Sequence, residues 1–249
     1  MTGGTLVSGP VVDTAAAGEF MREILARTSE DDLAGIAGDC ERKADAFAGL
    51  LGGGRAASLG GGDLRRVLRA MFGSRRKADA IVDTLGASLL AAEIDHLLEA
   101  DGDLAGRVER FDRALGAFTD SSFDLPGELL HFTYPRRYWP WTRWMWDPRV
   151  GTGALRLVTT EEFDLSGQTR GETYMKVGEA VAFVAENVRA VGFSVAGSSP
   201  FGIDVFLACV YAVYLYTVLR MRMTQEFTKI VPELPDLVRR LLGVHRLEV

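Results

Sequence analysis

The chain contains few residues that could bind a metal ion or react with a redox partner. Its 249 residues include two cysteines and three histidines. Cys40 lies among charged residues and Cys209 in an apolar run, and the sequence has no Cys-x-x-Cys pair and no Cys/His cluster. The sequence therefore supports neither a zinc site nor a thioredoxin-like redox motif.

Long apolar runs are also scarce. The longest is the 15-residue run VFLACVYAVYLYTVL, residues 205–219. A membrane-spanning helix needs about 20 apolar residues. We expect a buried core helix there and no membrane span, since a helix that is apolar all round is a buried one. The first 20 residues lack the basic and continuous apolar regions of a secretory signal, so we expect a cytoplasmic protein.

The overall charge is acidic, with a formal net charge of −6 and a pI near 5.2. The chain is 47% hydrophobic and 25% charged, which is typical of a globular protein that can bury a core without metals or disulfides. A domain that binds nucleic acid is usually basic overall. Any nucleic-acid binding by this chain would therefore depend on local basic segments.

The spacing of apolar residues predicts an all-α, multi-helix globular protein. Ser29, followed by Glu30, Asp31 and Asp32, is typical of a helix start, and Pro126 suits the first turn of a short helix. Weak alternation near 153–165 predicts at most one short β-hairpin. Helical patterns cover residues 13–28, 29–51, 63–72, 75–100, 103–118, 125–132, 172–192, 203–228 and 232–243.

Changes in composition divide the chain into five segments. Six glycines among residues 51–62 indicate a linker or a long loop. The predicted segments are an N-terminal helical pair (1–52), a Gly-rich linker (53–62), a helical segment with a basic start (63–133), an aromatic and arginine-rich connector (134–170) and a C-terminal helical half (171–249).

The basic segment RRVLRAMFGSRRK, residues 65–77, has six cations in thirteen positions and no acid. Its layout is a helix, a Gly-Ser turn and a second helix that begins with Arg75, Arg76 and Lys77, which has the outline of a helix-turn-helix. Cations in a first helical turn oppose the helix dipole, a cost that a bound anion would offset. The alternative is that these cations pair with the acids of residues 93–103 or are simply solvated.

Two Glu-x-x-His units provide a second candidate site: Glu93 with His96, and Glu128 with His131. Side chains at positions i and i+3 share one helical face, and di-iron carboxylate proteins use this spacing on two of their helices. Such a site also needs a glutamate from each of two further helices, and the sequence does not supply them clearly. A metalloenzyme that uses iron or manganese is therefore one alternative interpretation.

The connector contains the segment YPRRYWPWTRWMWDP, residues 134–148, which holds all four tryptophans of the chain. Pro135 and Pro140 prevent a continuous helix, so the segment is predicted to form a loop or successive turns. Its candidate binding residues are Arg136, Arg137, Tyr138, Trp139, Trp141, Arg143, Trp144 and Trp146.

Two interpretations of this aromatic segment stay open. Arginine, tryptophan and tyrosine are enriched in interface hot spots and also hold phosphates and bases, whereas bulky tryptophans equally well fill a gap between helices. The sequence thus predicts a binding or assembly protein for a protein partner, a second copy of the chain or an anionic ligand, with nucleic acid as an alternative. If residues 65–77 and 136–149 meet on one face, an anion site is favoured, and if they lie apart, binding of a protein partner is favoured.

Overall fold

The computed structural model describes residues 11–118, 123–190, 193, 198–222 and 232–245. These residues form ten α-helices and no β-strand, which confirms the predicted all-α fold. The helices are α1 (Thr14–Leu25), α2 (Glu30–Leu51), α3 (Gly61–Arg69), α4 (Ala78–Leu85), α5 (Ala87–Glu99), α6 (Leu104–Ala114), α7 (Leu125–Thr133), α8 (Arg170–Ala190), α9 (Gly202–Arg222) and α10 (Leu234–Leu241).

Local capping chemistry sets several helix starts. The Ser29 hydroxyl accepts a hydrogen bond from the Asp32 amide, and the Asp32 carboxylate accepts one from the Ser29 amide, forming a reciprocal capping box. Asp13 and Asp103 cap α1 and α6 in a similar way through their carboxylates. Pro126 lies in the first turn of α7. The predicted starts at Ser29 and near Pro126 are confirmed.

Glycines interrupt the helical pattern at two places. The predicted helix over 75–100 is divided, because Gly86 adopts φ +79° between α4 and α5. Gly53 and Gly54, also at positive φ, turn the chain after α2. The short 3₁₀ turn Ala56–Ser58 then packs against α5, so the Gly-rich segment contacts the core on its way to α3.

Helices from both ends of the chain share one core. α2 packs against α7, α9 and α10, while α1 packs against α9 and α6 against α8. The apolar run predicted as a core helix lies in α9, where the side chains from Val205 to Val210 are all fully buried. In the part of the chain that the structure describes, no helix has both the length and the hydropathy to cross a bilayer. Residues 191–192 and 223–228 of the predicted helices lie outside the described residues.

The short β-hairpin that the sequence allowed near 153–165 does not form. Leu155–Leu157 form a 3₁₀ turn, and the Thr159 amide and hydroxyl both donate to the Leu155 carbonyl at 2.9 Å. Leu155 and Val158, three positions apart, are both fully buried, so the apolar pattern serves a helical turn rather than a strand. Thr159 forms an isolated antiparallel β-bridge with Val12.

Candidate functional site: a basic cavity

The aromatic segment lies mostly inside the protein. Trp141 is 1% exposed, Trp144 7% and Trp146 6%, and Trp139 is partly buried. The Trp139 ring stacks on Tyr174 of α8 with ring centroids 5.0 Å apart. Its indole N–H donates to the Tyr174 carbonyl at 2.9 Å, and the Tyr174 hydroxyl donates to the Trp139 carbonyl. The tryptophans therefore fill the space between helices and do not form an exposed Arg/Trp surface.

Two glycines allow this close approach. A Cβ atom at Gly127 of α7 would lie 2.6 Å from the Trp141 amide nitrogen, which is closer than real contacts permit. A Cβ atom at Gly178 of α8 would overlap the Trp139 ring. The connector can pack against both helices only because these positions have no side chain.

The arginines of the aromatic segment separate into two groups. Arg136 and Arg137 are exposed, and the Arg137 guanidinium lies over the rings of Tyr134 and Tyr138. Tyr138 is buried and its hydroxyl accepts a hydrogen bond from Arg107 at 3.0 Å. Arg143 instead lines a cavity together with residues from two distant parts of the chain. Of the segment 136–149, Arg143 therefore meets residues 69–77 at this cavity, whereas Arg136 and Arg137 do not line it.

Three of the four Glu-x-x-His residues form ion pairs or hydrogen bonds with other groups of the protein. Glu93 forms an ion pair with Arg110 at 2.9 Å, and Glu128 forms one with Lys43 at 3.0 Å. His131 contacts Asp204 through Nε2 at 2.6 Å and the Tyr138 carbonyl through Nδ1 at 2.8 Å, so both of its ring nitrogens are engaged.

His96, the remaining member, is half-buried on α5. Among the described residues, no group of three or more His, Cys, Asp or Glu side chains could hold a metal ion. The four predicted ligands are not brought together.

The basic segment also separates into two groups. On α3, Arg65 pairs with Asp79 and Asp83, Arg66 with Asp63, and Arg69 with Asp79. These acids lie on α3 and α4, not among residues 93–103 as the alternative interpretation expected. Arg75, Arg76 and Lys77 form a 3₁₀ turn between the two helices and are exposed. None of these three forms an ion pair with a described residue.

A cavity of about 560 Å³ opens beside this turn. Three stretches line it: residues 69–77, Arg143 of the connector, and residues 240–245, which comprise the last turn of α10 and the chain after it. Six of its lining residues are permanently charged cations, and no described acidic residue lines it. The cations are Arg69, Arg75, Arg76, Lys77, Arg143 and Arg240, with His245 beside them.

Local hydrogen bonds position the three-cation turn. The Ser74 hydroxyl is buried and donates to the Leu68 carbonyl at 2.7 Å, near the end of α3. The Arg75 amide donates to the Met71 carbonyl and the Lys77 amide to the Ser74 carbonyl. These bonds fix the backbone, while the three long side chains stay in solvent.

Two glycines that line the cavity lie against charged side chains. A Cβ atom at Gly73 would clash with the Asp124 carboxylate, and one at Gly243 would lie 2.9 Å from the Lys43 ammonium. Asp124 accepts a hydrogen bond from the Arg143 amide at 2.8 Å and contacts the Arg143 guanidinium at 3.3 Å. Asp124 therefore holds Arg143 at the cavity wall.

Burial raises the pKa of two carboxyl groups at the start of α7. Loss of hydration raises the pKa of Asp124, and Arg143 opposes that effect. The pKa of Glu128, one turn along α7, is also raised by burial, which the Lys43 ammonium opposes. Lys43 is fully buried, donates to the Leu242 carbonyl at 3.1 Å and lies 3.8 Å from the centroid of the Phe132 ring.

Phe72, Arg240 and His245 were not identified as site residues from the sequence. Phe72 lies within the basic segment but was not singled out, and Arg240 and His245 come from the C-terminal region. The signal for Arg240 was its place in the last turn of a predicted helix, where a cation complements the helix dipole. Its proximity to residues 69–77 depends on tertiary packing.

Comparisons of the chain with protein-family models, with curated proteins and with solved structures give no match in any of the three.

Proposed function

We propose that this protein binds a small, multiply charged anion in the basic cavity. The observation that supports the proposal is the meeting of six arginine and lysine side chains from three separate stretches around one concavity. The tryptophans take no part in binding, since their role is to hold the connector that carries Arg143.

The charge balance inside the cavity favours an anionic ligand. Arg69 and Arg143 have carboxylate partners, whereas Arg75, Arg76, Lys77 and Arg240 have none among the described residues. Cations placed together repel one another, and a ligand with several negative charges would relieve that repulsion. The net charge of −6 does not prevent this, because screening at physiological ionic strength limits charge effects to roughly 8 Å.

The dimensions of the cavity favour a small molecule over a macromolecular partner. Its volume of about 560 Å³ lies within the range of roughly 300–1,000 Å³ that small-molecule sites occupy. Arginine and lysine bind phosphates and carboxylates through charge-assisted hydrogen bonds, and arginine can donate two at once. Phosphate groups or clustered carboxylates are therefore the ligand chemistry that this cavity fits.

Calorimetric titration with inorganic triphosphate tests the proposal. We expect saturable binding that weakens as sodium chloride is raised, and a loss of affinity on the order of tenfold or more in Arg75→Ala plus Arg76→Ala. The matched control is Arg136→Ala plus Arg137→Ala, which removes two exposed cations outside the cavity and should bind as the wild type does. No binding at low salt, or an equal loss in both variants, would refute the proposal.

A further inference from the structure

One wall of the basic cavity presents an aromatic ring to solvent. Phe72 is 55% exposed, whereas its neighbour Met71 is 1% exposed. Only one other phenylalanine, Phe183 on α8, is classed as exposed in the described part of the chain, and it lies outside the cavity. Single exposed apolar side chains are common on protein surfaces, but this ring lies in a concave site lined by six cations, where it is accessible to a bound ligand.

The ring and the cations together define a composite site. Phe72 lies three and four positions before Arg75 and Arg76, and the buried Ser74 hydrogen bond fixes the backbone between them. Interleaved aromatic and basic side chains bind nucleotides through two complementary contacts: a base stacks on the ring, and phosphates pair with the cations. A purely inorganic polyanion would leave the ring in water.

We infer that the anion of the proposed function is a nucleoside phosphate, with its base stacked on Phe72 and its phosphates held by Arg75, Arg76 and Lys77. This inference rests on the proposed function and adds the chemical class of the ligand. Arg143 and Arg240, on the other walls, are placed to neutralise the remaining phosphate charge.

The site suits a free nucleotide better than a strand of nucleic acid. Proteins that hold single strands use an extended groove with successive aromatic platforms. Here one exposed phenylalanine lines the cavity, and its walls come from three separate stretches of chain. The rest of the basic surface of α3 does not extend it, because Arg65 and Arg66 are paired with acids.

The test compares ATP with inorganic triphosphate by calorimetry in magnesium-free buffer, using the full chain. Triphosphate is at least as highly charged as ATP, so tighter binding of ATP would reflect the nucleoside. We expect ATP to bind on the order of tenfold more tightly than triphosphate, given what stacking of one base contributes. Phe72→Ala should abolish that difference and leave the affinity for triphosphate unchanged, whereas Phe72→Trp should retain it.

Phe183→Ala is the matched control, because it removes the other exposed phenylalanine and should retain the preference for ATP. Equal affinity for ATP and triphosphate would overturn the nucleotide inference and leave the anion proposal intact. Binding of neither would overturn both. A short oligothymidylate that binds more tightly than ATP, with a Phe72-dependent affinity, would show that the source is a nucleic-acid strand and overturn the assignment to a free nucleotide.

Discussion

The Lys43 ammonium lies 3.0 Å from the Glu128 carboxylate, both side chains are buried, and the ammonium lies against Gly243, which lines the basic cavity. The pair joins α2 to α7, and Lys43 also donates to the Leu242 carbonyl after α10. The pair therefore links α2 and α7 to the chain after α10, next to the cavity-lining Gly243.

Removing one member of this pair should destabilise the protein far more than removing both. Lys43→Met leaves the Glu128 carboxylate buried without its counter-ion, which we expect to lower the free energy of unfolding by about 3–5 kcal/mol. Adding Glu128→Leu should recover most of that loss, since buried pairs replaced by apolar residues of similar size are often neutral. Urea denaturation of the two variants would measure this. A double variant no more stable than Lys43→Met would contradict the expected coupling.

The raised pKa of Glu128 predicts how stability changes with pH. In the unfolded chain, Glu128 loses its proton near its ordinary pKa of 4.5. In the native state, Glu128 keeps the proton until the pH reaches its raised pKa. The native state then binds more protons, so the free energy of unfolding falls as pH rises through that interval. Glu128→Gln should lack this contribution. Denaturation curves at several pH values would measure the free energy of unfolding of both proteins. The value for the wild type minus that for the variant should decrease as pH rises above 4.5, and an increase would contradict a raised pKa for Glu128.

The contact between Gly178 and Trp139 predicts a large effect from one added methyl group. Gly178→Ala would place a Cβ atom inside the Trp139 ring, and we expect a loss of about 1–3 kcal/mol or more from overpacking. Gly49, also within a helix but with no atom within 4 Å of an added Cβ, is the matched control. Gly49→Ala should stabilise the protein by about 0.5–1 kcal/mol. Equal thermal shifts in the two variants would be inconsistent with the packed aromatic segment.

These contacts show which parts of the fold local sequence could predict. The start of α2 at Ser29 depends on a capping hydroxyl and acids within one turn, so a short stretch of sequence is sufficient. The break at Gly86 was missed because a single glycine is tolerated in many helices, and its positive φ is decided by the packing of α4 and α5. The predicted domain boundaries remain predictions, although helices from both ends of the chain share the core.

The candidate site was predictable only in part. The charge of residues 75–77 was visible in the sequence, and an anion site was favoured only if residues 65–77 and 136–149 met on one face. Arg143 is the residue of 136–149 that lines the cavity. Its position there depends on Asp124 and on the burial of the tryptophans around the connector, which are tertiary features. Arg240 reaches the cavity because α10 packs against α2, and no local pattern specifies that contact.

If cations far apart in the sequence hold one anion, as proposed, the position of a bound anion should lie between them. Crystals grown with tungstate, whose anomalous scattering locates the metal without ambiguity, would provide that position. We predict a tungsten peak inside the cavity, within hydrogen-bond distance of at least one of Arg75, Arg76 and Lys77 and also of Arg143 or Arg240. A cavity without a peak, or peaks only beside Arg136 and Arg137, would contradict an anion site shared by these cations.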